Sequence, residues 1–271
     1  MYHVAIRFWL LFICALTGIF PAQADLILSS APRDTKEKEE AIYRPLTDFL
    51  TKIAGQKVSF RYGDNFLVYQ SEMRKGNYDI VLDGPAFVGW RMAKLGHVPL
   101  VKFPGNLVFV LAVKKEQTKI NSLKDMAGRT ICAFPSPNLA TLTVLDEFDN
   151  PARQPIIQES TSFPDSYKNM VAGKCVGAIL QNKLYVNLDK EKQLGKVLFT
   201  SKPLPNQAFS AGPKVDPEMR AKIVIAMLSP EGMAATQKLR EAFKIQKLEA
   251  ATAEEYRGLE RLIRNEWGFG Q

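Results

Sequence analysis

Short β-type runs alternate with helical stretches along this chain, and the order strand, helix, strand, helix, strand occurs twice. The first series is strand 26–30, helix 37–54, strand 57–62, helix 67–75 and strand 79–82, followed by a helix at 86–95. The second series is strand 130–134, helix 138–149, strand 155–159, helix 164–172 and strand 176–180. Such alternation is typical of α/β proteins. The sequence therefore predicts two similar α/β lobes that face a cleft.

The remaining stretches complete this prediction. Residues 107–113 form a long apolar run that suits a strand crossing between the lobes. In the second series, Asn138 is a suitable N-cap for the helix that follows a strand, and a strand-to-helix turn of this kind is where α/β proteins tend to hold ligands. Three helical stretches are predicted near the end of the sequence, at 217–228, 231–243 and 253–267.

The first 24 residues have the order of a secretory signal peptide. Arg7 precedes an apolar run, and Ala22 and Ala24 place small residues at the two positions that define a cleavage site. A transmembrane helix needs about 20 apolar residues, and this run is shorter. The sequence therefore predicts cleavage after Ala24 and a mature protein in the periplasm.

The charge distribution argues against a nucleic-acid partner. The formal net charge is +8, and loss of Arg7 with the signal leaves 8 − 1 = +7. Acidic and basic residues are interspersed, as in 33–40, instead of forming a basic block interleaved with aromatic residues. A modest positive field still favours anionic small molecules.

Histidine is scarce, which excludes much catalytic chemistry. His97 is the sole histidine after the signal, so histidine-cysteine metal clusters and most nucleophile-histidine arrangements have no basis in this sequence. His97 lies at a predicted helix-to-strand turn, where an exposed or capping role is expected. We therefore expect no enzyme activity, no metal and no cofactor.

Several segments, in chain order, resemble the periplasmic phosphate/phosphite/phosphonate-binding proteins of ABC importers. These segments are 43–46, 76–81 leading into 83–85, 122–130, 170–174 and 215–220. The resemblance implies a type II periplasmic-binding-protein fold with two lobes, each a doubly wound sheet, and a ligand cleft between them. It implies a first lobe from 25–107 plus 205–271 and a second lobe from 108–204.

The chain departs from this family where the family binds the anionic head of its ligand. The family carries a Ser-Thr-Ser-Gly run there, and this sequence has Leu139-Ala140-Thr141-Leu142. Two interpretations remain open. Ser136, Asn138 and Thr141 are turn and capping residues only, or they line, with nearby backbone N–H groups, a cleft for a ligand that differs from a phosphonate. Phe163, where the family tends to place histidine, then supplies an apolar wall.

Other residues are candidates because of their places relative to the cleft. Tyr43 matches a position that contacts ligand in the family, or it packs beside Pro45. Asp83 and Gly84 end the third strand, where Asp83 could accept an amine or cap the next helix. Arg33 follows the first strand, where it either meets an anion or points into water. Polar residues at further expected cleft edges are Gln181, Asn182, Asn206 and Gln207.

The two cysteines of the mature chain indicate a disulfide. Cys132 lies in the first strand of the second lobe and Cys175 at the start of its third strand, and these strands are neighbours in a doubly wound sheet. Neighbouring strands are about 4.8 Å apart, within reach of a disulfide. We expect the bond, although side chains on opposite faces would leave two buried thiols.

The resemblance implies a monomeric, exported solute-binding protein without enzyme activity. It would capture a small anionic or polar ligand for an ABC permease by closing its lobes on it. The alternatives are a ligand-sensing or interaction protein of the same fold that contacts a membrane sensor, and an enzyme of that fold. Nucleic acid is not an expected partner.

Overall fold

The structure is a computed structural model that describes residues 24–270, so the predicted signal lies outside the described residues except for Ala24. The strands are β1 (Leu26–Ser30), β2 (Val58–Phe60), β3 (Ile80–Asp83), β4 (Val98–Lys102), β5 (Asn106–Leu107), β6 (Phe109–Lys114), β7 (Thr130–Ala133), β8 (Ile156–Glu159), β9 (Gly177–Gln181), β10 (Gly195–Thr200), β11 (Leu204–Pro205), β12 (Ala208–Ala211) and β13 (Glu249–Ala250). The helices are α1 (Lys36–Ala54), α2 (Phe66–Arg74), α3 (Pro85–Leu95), α4 (Leu139–Leu145), α5 (Phe163–Val171), α6 (Asn182–Asp189), α7 (Pro217–Leu228), α8 (Pro230–Ala235), α9 (Gln237–Phe243) and α10 (Ala253–Tyr256). Short 3₁₀ turns lie at Leu123–Met126, Pro151–Arg153 and Leu259–Ile263.

Two mixed sheets dominate the structure and share one pattern. The first sheet has the order β13-β4-β12-β3-β1-β2, and the second has the order β10-β6-β9-β7-β8. In each sheet three strands run parallel, β2-β1-β3 in the first and β8-β7-β9 in the second. The last of the three in chain order then pairs with an antiparallel strand, β3 with β12 and β9 with β6. This repeat of topology agrees with the repeated strand and helix order in the sequence.

A two-stranded ribbon joins the segments that pass between the sheets. β5 pairs antiparallel with β11, with Leu107 opposite Leu204 and Asn106 opposite Pro205. The predicted strand at 107–113 is confirmed over 109–113 as β6, but it is interrupted at Val108, because β5 belongs to the ribbon and β6 to the second sheet.

Local signals explain where several helices begin and end. α1 ends at Gly55, whose φ of 65° is the left-handed conformation that glycine adopts most readily. The sequence predicted this helix and its end. The predicted helix at 253–267 is wrong, because Gly258 is left-handed with φ 78° and separates α10 from a 3₁₀ turn.

The sequence also left some elements unpredicted or misjudged their length. α4 ends at Leu145, short of the predicted end at 149. β4, β10, β12 and α6 were not predicted. β4 and β12 pair with each other, so they extend the first sheet beyond the predicted series of three strands.

The C-terminal part of the described chain contacts both halves of the molecule. We call residues 259–269 the bridging segment. Phe269 packs edge-on against Phe87 and Trp90 of α3, with ring centroids 5.5 and 5.3 Å apart. Arg261 and Arg264 form ion pairs with Asp146 at the end of α4, at 3.4 and 3.1 Å. The bridging segment thus connects α3, which packs on the first sheet, to α4, which packs on the second.

Close approach of α3 to the bridging segment depends on a glycine. A Cβ atom at Gly89 would lie 2.8 Å from the Tyr256 carbonyl oxygen and 2.9 Å from the Glu260 nitrogen. Only a residue without a side chain leaves room for this backbone contact.

The two cysteines form the predicted disulfide. Cys132 on β7 and Cys175 just before β9 are bonded, with their Cα atoms 5.6 Å apart. Both are buried, and the adjacent backbone pairing of β7 with β9 brings them together. The bond lies within the second sheet.

Removing this disulfide is expected to destabilise the protein. The bond closes a loop with a sequence separation of 43 residues, and the chain-entropy model gives about 4 kcal/mol for a loop of that length. Urea unfolding of the Cys132→Ala/Cys175→Ala protein should show this loss relative to the oxidised protein. Thiol titration of denatured, unreduced protein is the control, and two free thiols per mature chain would contradict the bond.

Candidate ligand-binding site

A cavity of about 520 Å³ lies where segments from both sheets meet. Several of its lining residues directly follow a strand or begin a helix, as expected where α/β proteins bind ligands. The lining residues are Ala31, Pro32, Arg33, Phe66, Asp83, Gly84, Pro85, Ala86, Phe87, Leu107, Phe109, Phe134, Pro137, Asn138, Leu139, Ala140, Leu142, Phe163, Gln181 and Gln207.

The negative charge in this cavity is neutralised by an internal ion pair. Asp83 is almost completely buried at the end of β3. Its carboxylate accepts a hydrogen bond from Arg91 Nε at 2.6 Å and another from the Tyr69 hydroxyl at 2.5 Å. Arg91 Nη2 also donates to the Tyr69 hydroxyl at 3.2 Å. The Asp83 carboxylate therefore does not cap α3, whose N-cap is Gly84.

Burial opposes the charge on the Arg91 guanidinium, but the adjacent Asp83 carboxylate outweighs this effect and raises the pKa of Arg91. The Arg91 guanidinium is fully buried and lies beside the stacked rings of Tyr69 and Tyr78, 5.9 and 5.8 Å from their centroids. Burial and the neighbouring Asp83 charge raise the pKa of the Tyr69 hydroxyl, so it stays protonated and donates. The three groups form one closed network beneath the cavity.

Removing both partners of this ion pair together should lower the free energy of unfolding by less than the sum expected for two independent changes. Each of Arg91→Met and Asp83→Asn leaves one buried charge without its partner, and each should lower the free energy of unfolding by about 3–5 kcal/mol. The double variant Asp83→Asn/Arg91→Met should lose clearly less than the sum of the single losses. Urea unfolding in a double-mutant cycle measures this coupling, and strictly additive losses would rule out the coupled network.

Arg33 supplies positive charge at the rim of the cavity. Its Nη2 donates to the side-chain oxygen of Gln207 at 3.2 Å, and its guanidinium lies 5.0 Å from the centre of the Phe243 ring. Glu39 accepts from the backbone N–H of Arg33 at 2.8 Å, which orders the loop after β1. Burial raises the pKa of the Glu39 carboxyl. The Arg33 guanidinium is oriented by the Gln207 amide and the Phe243 ring and is exposed to solvent.

The start of α3 forms part of the wall. Gly84 is the N-cap, without a side-chain hydrogen bond to the helix, and Pro85 is the first helical residue. The first N–H groups of a helix have no intrahelical partners and lie at the positive end of the helix dipole. This wall therefore adds to the positive potential near Arg33.

The candidates around α4 are mostly occupied by local hydrogen bonds. Asn138 lines the cavity, and its side-chain oxygen accepts from the Ala140 N–H at 3.0 Å. Thr141 is fully buried and donates to the Phe134 carbonyl at 2.6 Å. Ser136 is exposed and donates to Glu266 of the bridging segment. Thr141 and Ser136 are not among the residues that line the cavity.

Aromatic residues form much of the remaining wall. Phe163 begins α5 and packs perpendicular to Phe134, with centroids 5.0 Å apart and an angle of 89° between the rings. Phe66 and Phe87 form a second pair, at 5.9 Å and 66°. The first pair comes from elements of the second sheet, and the second pair from elements of the first.

Two other candidates lie away from the cavity. Tyr43 is buried on α1 and stacks on Phe60 at 4.4 Å, and burial raises the pKa of its hydroxyl. His97, expected to be exposed or capping, is instead buried, and its Nδ1 lies 3.1 Å from the Ser210 hydroxyl because β12 packs beside it. Burial, with a smaller effect of Arg91, lowers the pKa of His97 to about 3, so it is neutral.

Of the candidates predicted from the sequence, seven line the cavity: Arg33, Asp83, Gly84, Asn138, Phe163, Gln181 and Gln207. Their role in binding stays a prediction. Sequence reasoning did not select the residues that make the wall aromatic, namely Phe66, Phe87, Phe109 and Phe134. Phe66 directly follows the N-cap Asn65, and Phe134 directly follows β7. These positions could have identified both residues from the sequence.

The described residues lack two features that would change this interpretation. No helix within 24–270 combines the length and hydropathy needed to cross a bilayer. No group of three or more potential metal ligands occurs in that same part of the chain.

The fold and the cavity define a substrate-binding protein of the type II periplasmic class. The family described as "ABC transporter, phosphonate, periplasmic substrate-binding protein" matches residues 28–256, and this chain belongs to that family. The match confirms the resemblance and the class of function predicted from the sequence. The family consists of periplasmic substrate-binding proteins, not enzymes. No curated protein sequence matches the chain.

Solved structures support the fold. XAC2383 from Xanthomonas citri, bound to ATP, is 14% identical with a TM-score of 0.65, and the match covers 88% of this chain and 95% of that one. PhnD1 from Prochlorococcus marinus, in complex with methylphosphonate, is 13% identical with a TM-score of 0.59, covering 89% and 97%. A phosphonate transporter binding component from Pseudomonas aeruginosa is 14% identical with a TM-score of 0.56, covering 89% and 85%. These similarities confirm the predicted fold class.

Proposed function

We propose that this chain binds a small anion in the 520 Å³ cavity and delivers it to an ABC permease. One observation carries the proposal: of the two charged side chains that line the cavity, Asp83 is paired with Arg91, whereas the Arg33 guanidinium forms no ion pair with a carboxylate among the described residues. Glu39 contacts Arg33 through the backbone N–H. The cavity therefore has a net positive character, which the start of α3 increases. An anion is the ligand that this arrangement favours.

The same proposal includes two lobes that close on the ligand. We assign 25–107 with 205–271 to one lobe and 108–204 to the other. The distribution of strands supports these boundaries, because the ribbon pairs Leu107 with Leu204 at the two crossings. A ligand that contacts both lobes only in the closed form shifts the population toward that form.

The proposal requires no covalent chemistry. General acid-base catalysis needs a titratable side chain within reach of the substrate, and the single carboxylate in the lining is held by Arg91 and Tyr69. His97 is buried elsewhere, beside Ser210. The lining therefore supports binding better than catalysis, and we propose that the protein is not an enzyme and works as a monomer.

Anion binding is testable by calorimetric titration of the mature protein. The panel is phosphate, methylphosphonate, methanesulfonate and phenylphosphonate. At least one anion should bind, and Arg33→Gln should weaken that binding by about tenfold, the effect of losing one charge-assisted hydrogen bond. Arg44→Gln, at an exposed arginine outside the cavity lining, should leave the affinity unchanged. Absence of binding across the panel would favour an interaction protein with a vestigial cleft.

We also propose export with cleavage after Ala24. Expression of the full chain in a Gram-negative host should yield periplasmic protein whose first residue is Asp25, as read by N-terminal sequencing. Ala24→Lys removes the small residue that cleavage requires and should leave a larger, uncleaved form. Recovery of an unprocessed wild-type chain in the cytoplasm alone would contradict this proposal.

A further inference from the structure

Five phenylalanines line the cavity: Phe66, Phe87, Phe109, Phe134 and Phe163. Most of the other lining residues are alanine, leucine or proline. An inorganic oxyanion carries no apolar surface to contact such a wall. Transfer of apolar ligand surface from water to this wall would stabilise a complex in proportion to the area buried.

The phenylalanines form two edge-on pairs, one from each sheet. Phe134 and Phe163 are 5.0 Å apart and nearly perpendicular, and Phe66 and Phe87 are 5.9 Å apart at 66°. Edge-on pairs expose both ring faces and ring edges, and a further aromatic ring gains energy from either beyond the burial of its area. A planar aromatic group could therefore contact a pair from each half of the molecule.

The charges in the cavity disfavour an amino group on the ligand. The Asp83 carboxylate is engaged by Arg91 and Tyr69, so an ammonium group would be buried without an anionic partner, which is costly. Arg33 adds repulsion at the rim. The aromatic rings could attract a cation, but the positive charge of Arg33 at the rim opposes the entry of a second one.

The size of the cavity agrees with an organic ligand. Its 520 Å³ falls within the range of roughly 300–1,000 Å³ that is typical of sites for organic molecules. A free phosphate or a methylphosphonate would occupy a small part of it. The remaining volume is bordered mainly by apolar side chains.

We infer that the ligand is an organic oxyanion that carries an aryl or bulky alkyl group and no amino group. This inference rests on the proposed function and specifies its ligand class. The anionic head lies toward Arg33 and the start of α3, and the apolar group lies among the phenylalanines. Phosphonate, sulfonate and carboxylate heads share this chemistry.

The test compares ligands that share one head group. Dissociation constants are measured by calorimetry on the mature protein for methylphosphonate, phenylphosphonate, ethylphosphonate and 2-aminoethylphosphonate, and for methanesulfonate and benzenesulfonate. For at least one head group, the phenyl compound should bind about tenfold or more tightly than its methyl counterpart. 2-Aminoethylphosphonate should bind about tenfold more weakly than ethylphosphonate.

A single substitution locates the apolar subsite. Phe163→Ala should weaken binding of the preferred phenyl compound by about tenfold and change the affinity for its methyl counterpart by less than about twofold. Phe148→Ala is the matched control, because Phe148 is also half-buried but is not among the residues lining the cavity. The comparison of ligands on the unaltered protein does not depend on either variant folding.

The outcomes separate this inference from the proposed function. If the methyl compounds bind as tightly as the phenyl compounds, or the amino compound binds as tightly as the ethyl one, the inference is wrong and the proposed function stands. If none of these anions binds, the proposed function is wrong, and the inference fails with it.

Discussion

The buried ion pair between Asp83 and Arg91 is the constraint on which the candidate site depends. Asp83 ends β3, which has strands on both sides in the first sheet, and Arg91 lies further along the helix that begins two residues later. Removing either charge from water alone would cost several kcal/mol. The pair therefore ties the beginning of α3 to the end of β3, and the Gly84 turn between them faces the cavity from a fixed base.

The cavity has a floor, formed by Asp83, Arg91 and Tyr69, and a rim at Arg33, and the two differ in charge. The floor has no net charge because Arg91 balances Asp83, and Tyr69 forms hydrogen bonds with both. The rim retains Arg33, which is oriented by an amide and an aromatic ring. A neutral floor and a single cation at the rim form an asymmetric site, in which one end of a ligand meets charge and the other meets hydrocarbon.

The sequence predicted the parts of this structure that depend on local patterns. The strand and helix order, the end of α1 at Gly55 and the Cys132–Cys175 bond follow from periodicity, a left-handed glycine position and strand adjacency. The Asp83–Arg91–Tyr69 network could not be predicted in the same way. Its three residues come from three elements, and only the packing of α2 and α3 on β3 brings them together. The aromatic lining was missed for a similar reason: a phenylalanine beside a strand end has the same local pattern whether it faces a core or a cavity.

The bridging segment makes the separation of the two sheets sensitive to salt concentration. It holds α3 through Phe269 and reaches α4 through Arg261 and Arg264, both paired with Asp146 near solvent. Separation of the two sheets would have to break these partly exposed ion pairs, and dissolved ions screen such pairs over a distance of about 8–10 Å at physiological concentrations. Ionic strength would then act twice on anion capture, once by competing for the cavity and once by loosening the connection between the sheets.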